Sequence, residues 1–212
     1  MLNVEKLHIL IEDSTLDGVD CRSASAAKGN GASIEVDTGI FLLGLIHRLQ
    51  PKVAIETGTN FGYCASFIGL ALESIALDYP HLRGHLWTVD VDRYEGRPEA
   101  LWETLGVSNY ITHVISDALT APLPPRPAQF LMLDSDHDGD FVYNEFHHFL
   151  PILDEKRCTI AVHDTRLDAR LAPGIRRILA SEELKSKYRH IGHFPMRNLR
   201  GLDLMLLSNE EL

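Results

Sequence analysis

The sequence predicts an α/β fold, a mostly parallel sheet with helices on both faces. Two observations carry this. From residue 53 onward, short apolar runs of strand length alternate with longer stretches of helical spacing. The first five apolar runs also end in acidic residues: Glu56, Asp90, Asp117, Asp134 and Asp164. Parallel strands joined by crossovers bring such ends to one rim, where sheets of this kind bind ligands.

The elements follow in order. Residues 1–36 read as an N-terminal accessory segment, and residues 37–212 as the main domain. Within the accessory segment, Ser23 to Ser33 is rich in Ser, Ala and Gly, as a loop or cover would be. Asp37-Thr38 can cap a helix whose apolar face is Ile40, Phe41, Leu42, Leu45 and Ile46. Strands are expected at Val53–Ile55, Leu86–Val89, Ile111–Ile115, Gln129–Leu133 and Thr159–Val162. Helices are expected at Tyr63–Leu77, Glu99–Leu105, Phe141–Leu150 and Ile175–Lys187. His190–Phe194 and Leu202–Leu207 suit a terminal pair of strands.

The totals narrow the function. A length of 212 residues fits one domain with a full core. A formal charge of -10 disfavours a nucleic-acid binder, which needs a basic footprint. No apolar run approaches the ~20 residues that span a bilayer, and the N-terminus lacks the basic and apolar regions of a secretory signal. Cys21, Cys64 and Cys158 make neither a disulfide framework nor a cysteine zinc site. A cytoplasmic protein acting on a small molecule is the expectation, with neither nucleic acid nor membrane as partner.

Glu56-Thr57-Gly58-Thr59-Asn60-Phe61-Gly62 joins the first strand to the next helix. Gly58 permits a sharp turn and close approach to a ligand, and the helix start offers free N–H groups. The spacing is ExGxxxG, which is not the GxGxxG of dinucleotide binders. Here the sequence resembles the class I S-adenosylmethionine-dependent methyltransferases, and the stretch ETGTNFGYCA resembles the catechol-type O-methyltransferases in particular. The resemblance implies a Rossmann-like doubly wound sheet of about seven strands with the last antiparallel. It further implies S-adenosylmethionine held by Glu56, Gly58, Thr59, Asn60, Gly62 and Tyr63, with Asp90 on the ribose hydroxyls and Val91 beside it. Asp117 would lie near the adenine amino group and Asp134 beside the cofactor. A homodimer is suggested by the resemblance alone.

The run Asp134-Ser135-Asp136-His137-Asp138-Gly139-Asp140 admits two readings. Asp134 to Glu145 matches the calcium-loop pattern D-x-D-x-D-G-x5-E residue for residue. However, an EF-hand needs an entering helix, and Gln129–Leu133 is too short and follows too closely on Pro124-Pro125-Arg126-Pro127. The other reading places Asp134 and Asp164 on neighbouring strand ends as ligands of a hard divalent ion, Mg2+ first. The block LDSDH with the later AVHDT resembles the sugar and macrolide O-methyltransferases, which implies His137 as the base that deprotonates a hydroxyl. Asp136, Asp138 and Asp140 then serve the turn and the helix start. A calcium-binding protein, or a cofactor binder without catalysis, are the alternatives.

The chain departs from the catechol-type pattern at two positions. Thr165 stands where an asparagine ligand is expected, and Cys64 where a hydroxyl residue is common. His163 reads as a strand-end residue that orients Asp164, and His147 and His148 read as helix-surface or packing residues. His190 and His193 have no carboxylate nearby in sequence and are not assigned to a metal.

Overall fold

The computed structural model describes residues 3–12, 15–16, 19–20, 34–197 and 200–210. The Ser23–Ser33 stretch expected to be a loop lies outside the described residues. The chain opens with α1 (Val4–Glu12) and a two-stranded ribbon, β1 (Thr15–Leu16) with β2 (Val19–Asp20). There follow α2 (Val36–Leu49), β3 (Val53–Thr57), α3 (Tyr63–Asp78), β4 (His85–Asp90), α4 (Arg97–Thr104) and β5 (Ile111–Ile115). The second half is β6 (Phe130–Leu133), α5 (Gly139–Phe149), β7 (Arg157–His163), α6 (Leu171–Ala180), α7 (Glu182–Lys187), β8 (His190–Met196) and β9 (Leu202–Ser208).

The expected sheet forms, with seven strands in the order β5-β4-β3-β6-β7-β9-β8. β3 to β7 run parallel, and the last strand, β9, runs antiparallel to both β7 and β8. Strand periodicity sorts side chains to two cores. Ala54, Leu86, Phe130, Met132 and Ala161 face the layer of α1 to α4. Ile55, Leu131, Leu133, Ile160 and Val162 face the layer of α5 to α7. β3 and β6 are buried along their whole length, which is why they read as continuous apolar runs. α3 is buried around most of its circumference, since α1, α2 and α4 pack against it as well as the sheet.

Two expectations need correction. The first helix of the main domain begins at Val36, with Glu35 at its N-cap, so Asp37-Thr38 lies inside its first turn. The Thr38 hydroxyl turns back to donate to Glu35 Oε2 (3.0 Å). The single helix expected over Ile175–Lys187 is two helices, with the break at Ser181. Ser181 leaves helical geometry at φ -64, ψ 138 and its hydroxyl accepts the Leu184 N–H, so a residue that competes with helical backbone bonding starts α7 anew. Ser181→Ala is expected to lower stability by about 1 kcal/mol in chemical denaturation, and an unchanged midpoint would remove the cap.

Among the described residues, no helix is long and apolar enough to cross a membrane.

Candidate functional site

The strand order sets Asp117, Asp90, Glu56, Asp134 and Asp164 in a row along the C-terminal edge of β5, β4, β3, β6 and β7. The glycine loop sits at the middle of that row. Gly58 has φ +80, and its N–H donates to the Val89 carbonyl (2.9 Å). A Cβ there would lie 2.1 Å from the Asp134 carbonyl oxygen, so this loop and the one after β6 touch backbone to backbone. Asn60 is also left-handed (φ +48), and its N–H donates to Asp90 Oδ2 (2.9 Å). Gly62 (φ +78) ends the loop, and its carbonyl accepts the Trp102 indole N–H (3.0 Å).

The side chains of the loop divide between surface and interior. Glu56 is wholly buried beneath it, with Thr88 donating to Oε2. Burial, with Asp134 and Asp90 adding, pushes the Glu56 carboxyl up to about 8 against hydrogen bonds from Cys64 and Thr88. The Thr59 hydroxyl lies 2.6 Å from that of Thr88, under the loop. Tyr63 is buried, and its hydroxyl donates to the Leu10 carbonyl in α1 (2.6 Å). Its side chain therefore packs against the N-terminal helix, and its backbone is what the helix start presents. Val91, just past Asp90, is 72% exposed, an uncovered apolar side chain at the rim. Asp117 is exposed and accepts the Leu119 N–H (2.8 Å).

The Glu56 shift has a testable sign. Its folded-state value lies above the unfolded 4.5, so the native state holds an extra proton between 4.5 and about 8. Stability falls as pH rises through that window. At ~1.4 kcal/mol per tenfold change in acidity, the loss from this one group is on the order of a few kcal/mol. Glu56→Gln is expected to melt near wild type at pH 5 and clearly above it at pH 8. Parallel melting curves across that range would refute the assignment.

The carboxylates of the acidic run do not converge as a calcium loop requires. β6, not a helix, leads into the run. Asp136, Asp138 and Asp140 are exposed, whereas Glu145 is fully buried and accepts from the Ser135 hydroxyl (2.6 Å). Burial first, with Asp134 and Asp136 adding, pushes the Glu145 carboxyl up to about 7. Asp138 is the N-cap of α5, accepting from the Asp140 and Phe141 N–H groups, and Asp140 pairs with Arg177.

What does converge is Asp134, His137 and Asp164. One ligand atom from each lies within 4.8 Å of the others. Asp164 is fully buried and left-handed (φ +58), a conformation a non-glycine residue adopts only where its surroundings hold it. His137 Nε2 lies 3.1 Å from Asp164 Oδ2 and 3.9 Å from Asp134 Oδ1. The hydrogen bond to Asp164 raises the His137 imidazole above its ordinary 6.5 against burial, and the Asp164 and Asp134 charges add to the rise. Burial would raise Asp164, but His137, His163 and Arg200 together hold it below the usual carboxylate value.

Three further residues belong to this cluster. His163, read from sequence as a strand-end residue orienting Asp164, is 1% exposed. Its Nδ1 lies 3.2 Å from Asp134 Oδ1, and its Nε2 lies 2.9 Å from Glu35 Oε2. Burial opposes its charge, but Asp134, Glu35 and Asp164 push it up to about 10. Glu35, from the segment read as accessory, also accepts the Arg200 backbone N–H (2.7 Å). The Arg200 guanidinium donates to Asp164 Oδ2. The doubled motif ending β7, His163-Asp164, was a usable signal for the first of these. Glu35 and Arg200 reach the site only through the fold. Thr165, where an asparagine ligand was expected, donates to Asp203 Oδ1 (2.8 Å). Asp203 Oδ2 in turn holds His193 (2.8 Å), the carboxylate partner that the local sequence did not show. His147 and His148 bond to backbone carbonyls of Tyr143 and Ala121.

A protein family described as "Methyltransferase domain" matches residues 55–165. The fold is similar to that of the O-methyltransferase TomG from Streptomyces achromogenes, involved in tomaymycin synthesis and solved with SAM. That match has 16% identity and a TM-score of 0.69, and covers 97% of this chain and 90% of TomG. It is also similar to an O-methyltransferase from Bacillus cereus solved with SAH, at 14% identity and a TM-score of 0.66, covering 96% of this chain and 91% of that one. No curated protein matches the chain.

Proposed function

Because this chain belongs to the methyltransferase-domain family, as the match over residues 55–165 shows, we propose that it is an S-adenosylmethionine-dependent O-methyltransferase. Its acceptor is a hydroxyl on a small molecule, and a divalent ion, Mg2+ first, assists. The observation that carries this reading is the convergence of Asp134, His137 and Asp164 on strand ends beside the Gly58 loop.

The residues fit both groups. For the cofactor, the loop backbone from Gly58 to Gly62 and the Asp90 carboxylate supply polar groups, and Val91 supplies an apolar face. Asp90 now accepts from Asn60 and Asp92, which fixes its carboxylate at the rim. For the metal, Asp134 and Asp164 offer oxygens, and Asp164 Oδ1 is buried without a hydrogen-bond partner, as a ligand oxygen awaiting a cation would be. A bound divalent ion supplies Lewis acidity that lowers the pKa of an acceptor hydroxyl. S-adenosylmethionine supplies the sulfonium methyl group. The acceptor oxygen forms its bond to the methyl carbon as the carbon–sulfur bond breaks, and His137 takes the hydroxyl proton.

One observation favours a second reading, transfer without metal. Arg200 and a protonated His163 already set positive charge against Asp164 and Asp134. Two measurements separate the possibilities. Calorimetry with S-adenosylhomocysteine tests the cofactor, and absence of binding would count decisively against a transferase. A panel of hydroxylated acceptors with labelled S-adenosylmethionine, run with and without excess chelator, tests the metal. Full activity in chelator would select the metal-free reading.

A further inference from the structure

We propose that His163 is itself a ligand of the divalent ion through Nδ1, alongside Asp134 and Asp164, and that Glu35 is the outer carboxylate holding it in that role. The inference rests on the metal-assisted reading above and assigns its inner and outer ligands.

The geometry around the imidazole is directional. Its Nε2 faces Glu35 Oε2 at 2.9 Å, and its Nδ1 faces Asp134 Oδ1 at 3.2 Å and Asp164 Oδ1 at 3.4 Å. Glu35 accepts from Thr38 and from the Arg200 backbone as well, which holds its carboxylate in place. A fixed carboxylate at Nε2 makes that nitrogen the donor. In the neutral ring the lone pair is then on Nδ1, pointed at the two aspartates. Imidazole ligands are commonly oriented by such a carboxylate on the far nitrogen.

Asp164 Oδ1 is buried and lacks a hydrogen-bond partner, although its other oxygen is held by Arg200 and His137. Thr165 is turned to Asp203 and does not serve as a ligand. Charge agrees with this assignment. With His137 and His163 both neutral, Glu35, Asp134 and Asp164 against the Arg200 guanidinium leave two negative charges, which one divalent cation balances. An ion at this place takes the position of the proton that Nδ1 otherwise shares with Asp134, and that proton passes to solvent. His137 sits differently, on the Oδ2 side of Asp164 with 32% of its side chain exposed. The two histidines thus divide the work, the buried one binding the ion and the accessible one meeting the acceptor.

The test uses Mn2+ as probe on the full chain, with S-adenosylhomocysteine affinity measured on the same samples. Electron spin-echo spectroscopy of the Mn2+ protein is expected to show nitrogen coupling from a directly bound imidazole. That coupling should persist in His137→Gln and vanish in His163→Gln. Glu35→Gln, which leaves His163 in place, is expected to weaken Mn2+ binding about 10–100-fold with S-adenosylhomocysteine affinity unchanged. No nitrogen coupling in the wild type, coupling that survives in His163→Gln, or coupling lost only in His137→Gln would overturn the ligand assignment. Unchanged Mn2+ affinity in Glu35→Gln would overturn the role of Glu35. Each of these results stands apart from failure of the transferase reading, which would appear as absent S-adenosylhomocysteine binding.

Discussion

Replacing His137 by alanine is expected to lower turnover by about 10²–10⁴-fold, the usual contribution of a positioned general base. S-adenosylhomocysteine affinity should stay near wild type, because His137 lies on the β6–α5 loop and the glycine loop follows β3. The expectation rests on placement first: Nε2 is 3.1 Å from Asp164, and the ring is open on one side to an acceptor. It also carries a pH signature. Asp164 and Asp134 hold the imidazole above 6.5, and a base works only when deprotonated. Turnover should therefore rise with pH across the neutral range in the wild type, and that limb should disappear in His137→Ala. Equal turnover in variant and wild type, measured with an accepted substrate, would remove His137 as the base.

Gly58→Ala is expected to abolish cofactor binding and to cost about 2–5 kcal/mol of stability. Two effects add. The backbone at φ +80 disfavours any side chain by ~1–2 kcal/mol. The new Cβ would also meet the Asp134 carbonyl oxygen at 2.1 Å, and backbone atoms of an adjacent strand end cannot swing aside as a side chain tip can. Relief requires β3 and β6 to part at their ends, at roughly 1–3 kcal/mol, which moves Asp134 together with the glycine loop. The variant should thus lose both S-adenosylhomocysteine binding and Mn2+ binding. Wild-type affinity for either ligand in a folded Gly58→Ala protein would show that the two loops are not mechanically joined.

The features legible in the sequence are those that short stretches of chain decide. Each of the first five strands is an apolar run with polar residues after it, so β3 to β7 and their acidic ends could be marked one at a time. Helix ends were less legible. Ser181 interrupts a stretch whose apolar spacing continues through Leu184, and only its capping bond to Leu184 shows the break. Glu145 matched a ligand position by spacing, yet the start of α5 at Gly139 turns it beneath the strand ends toward Ser135.

By itself the sequence determined the parallel α/β order, the glycine loop, and the placing of Asp134 and Asp164 at the rim, because each follows from local periodicity and turn chemistry. Only the tertiary structure decided which histidine faces which carboxylate. Glu35 reaches His163 across 128 residues, and the Arg200 backbone meets Glu35 across 165. The physical reason is that such encounters depend on antiparallel docking of β9 against β7, which brings Arg200 over the end of β7, and on Glu35, just before α2, meeting it at the same place. No spacing rule along the chain encodes that convergence.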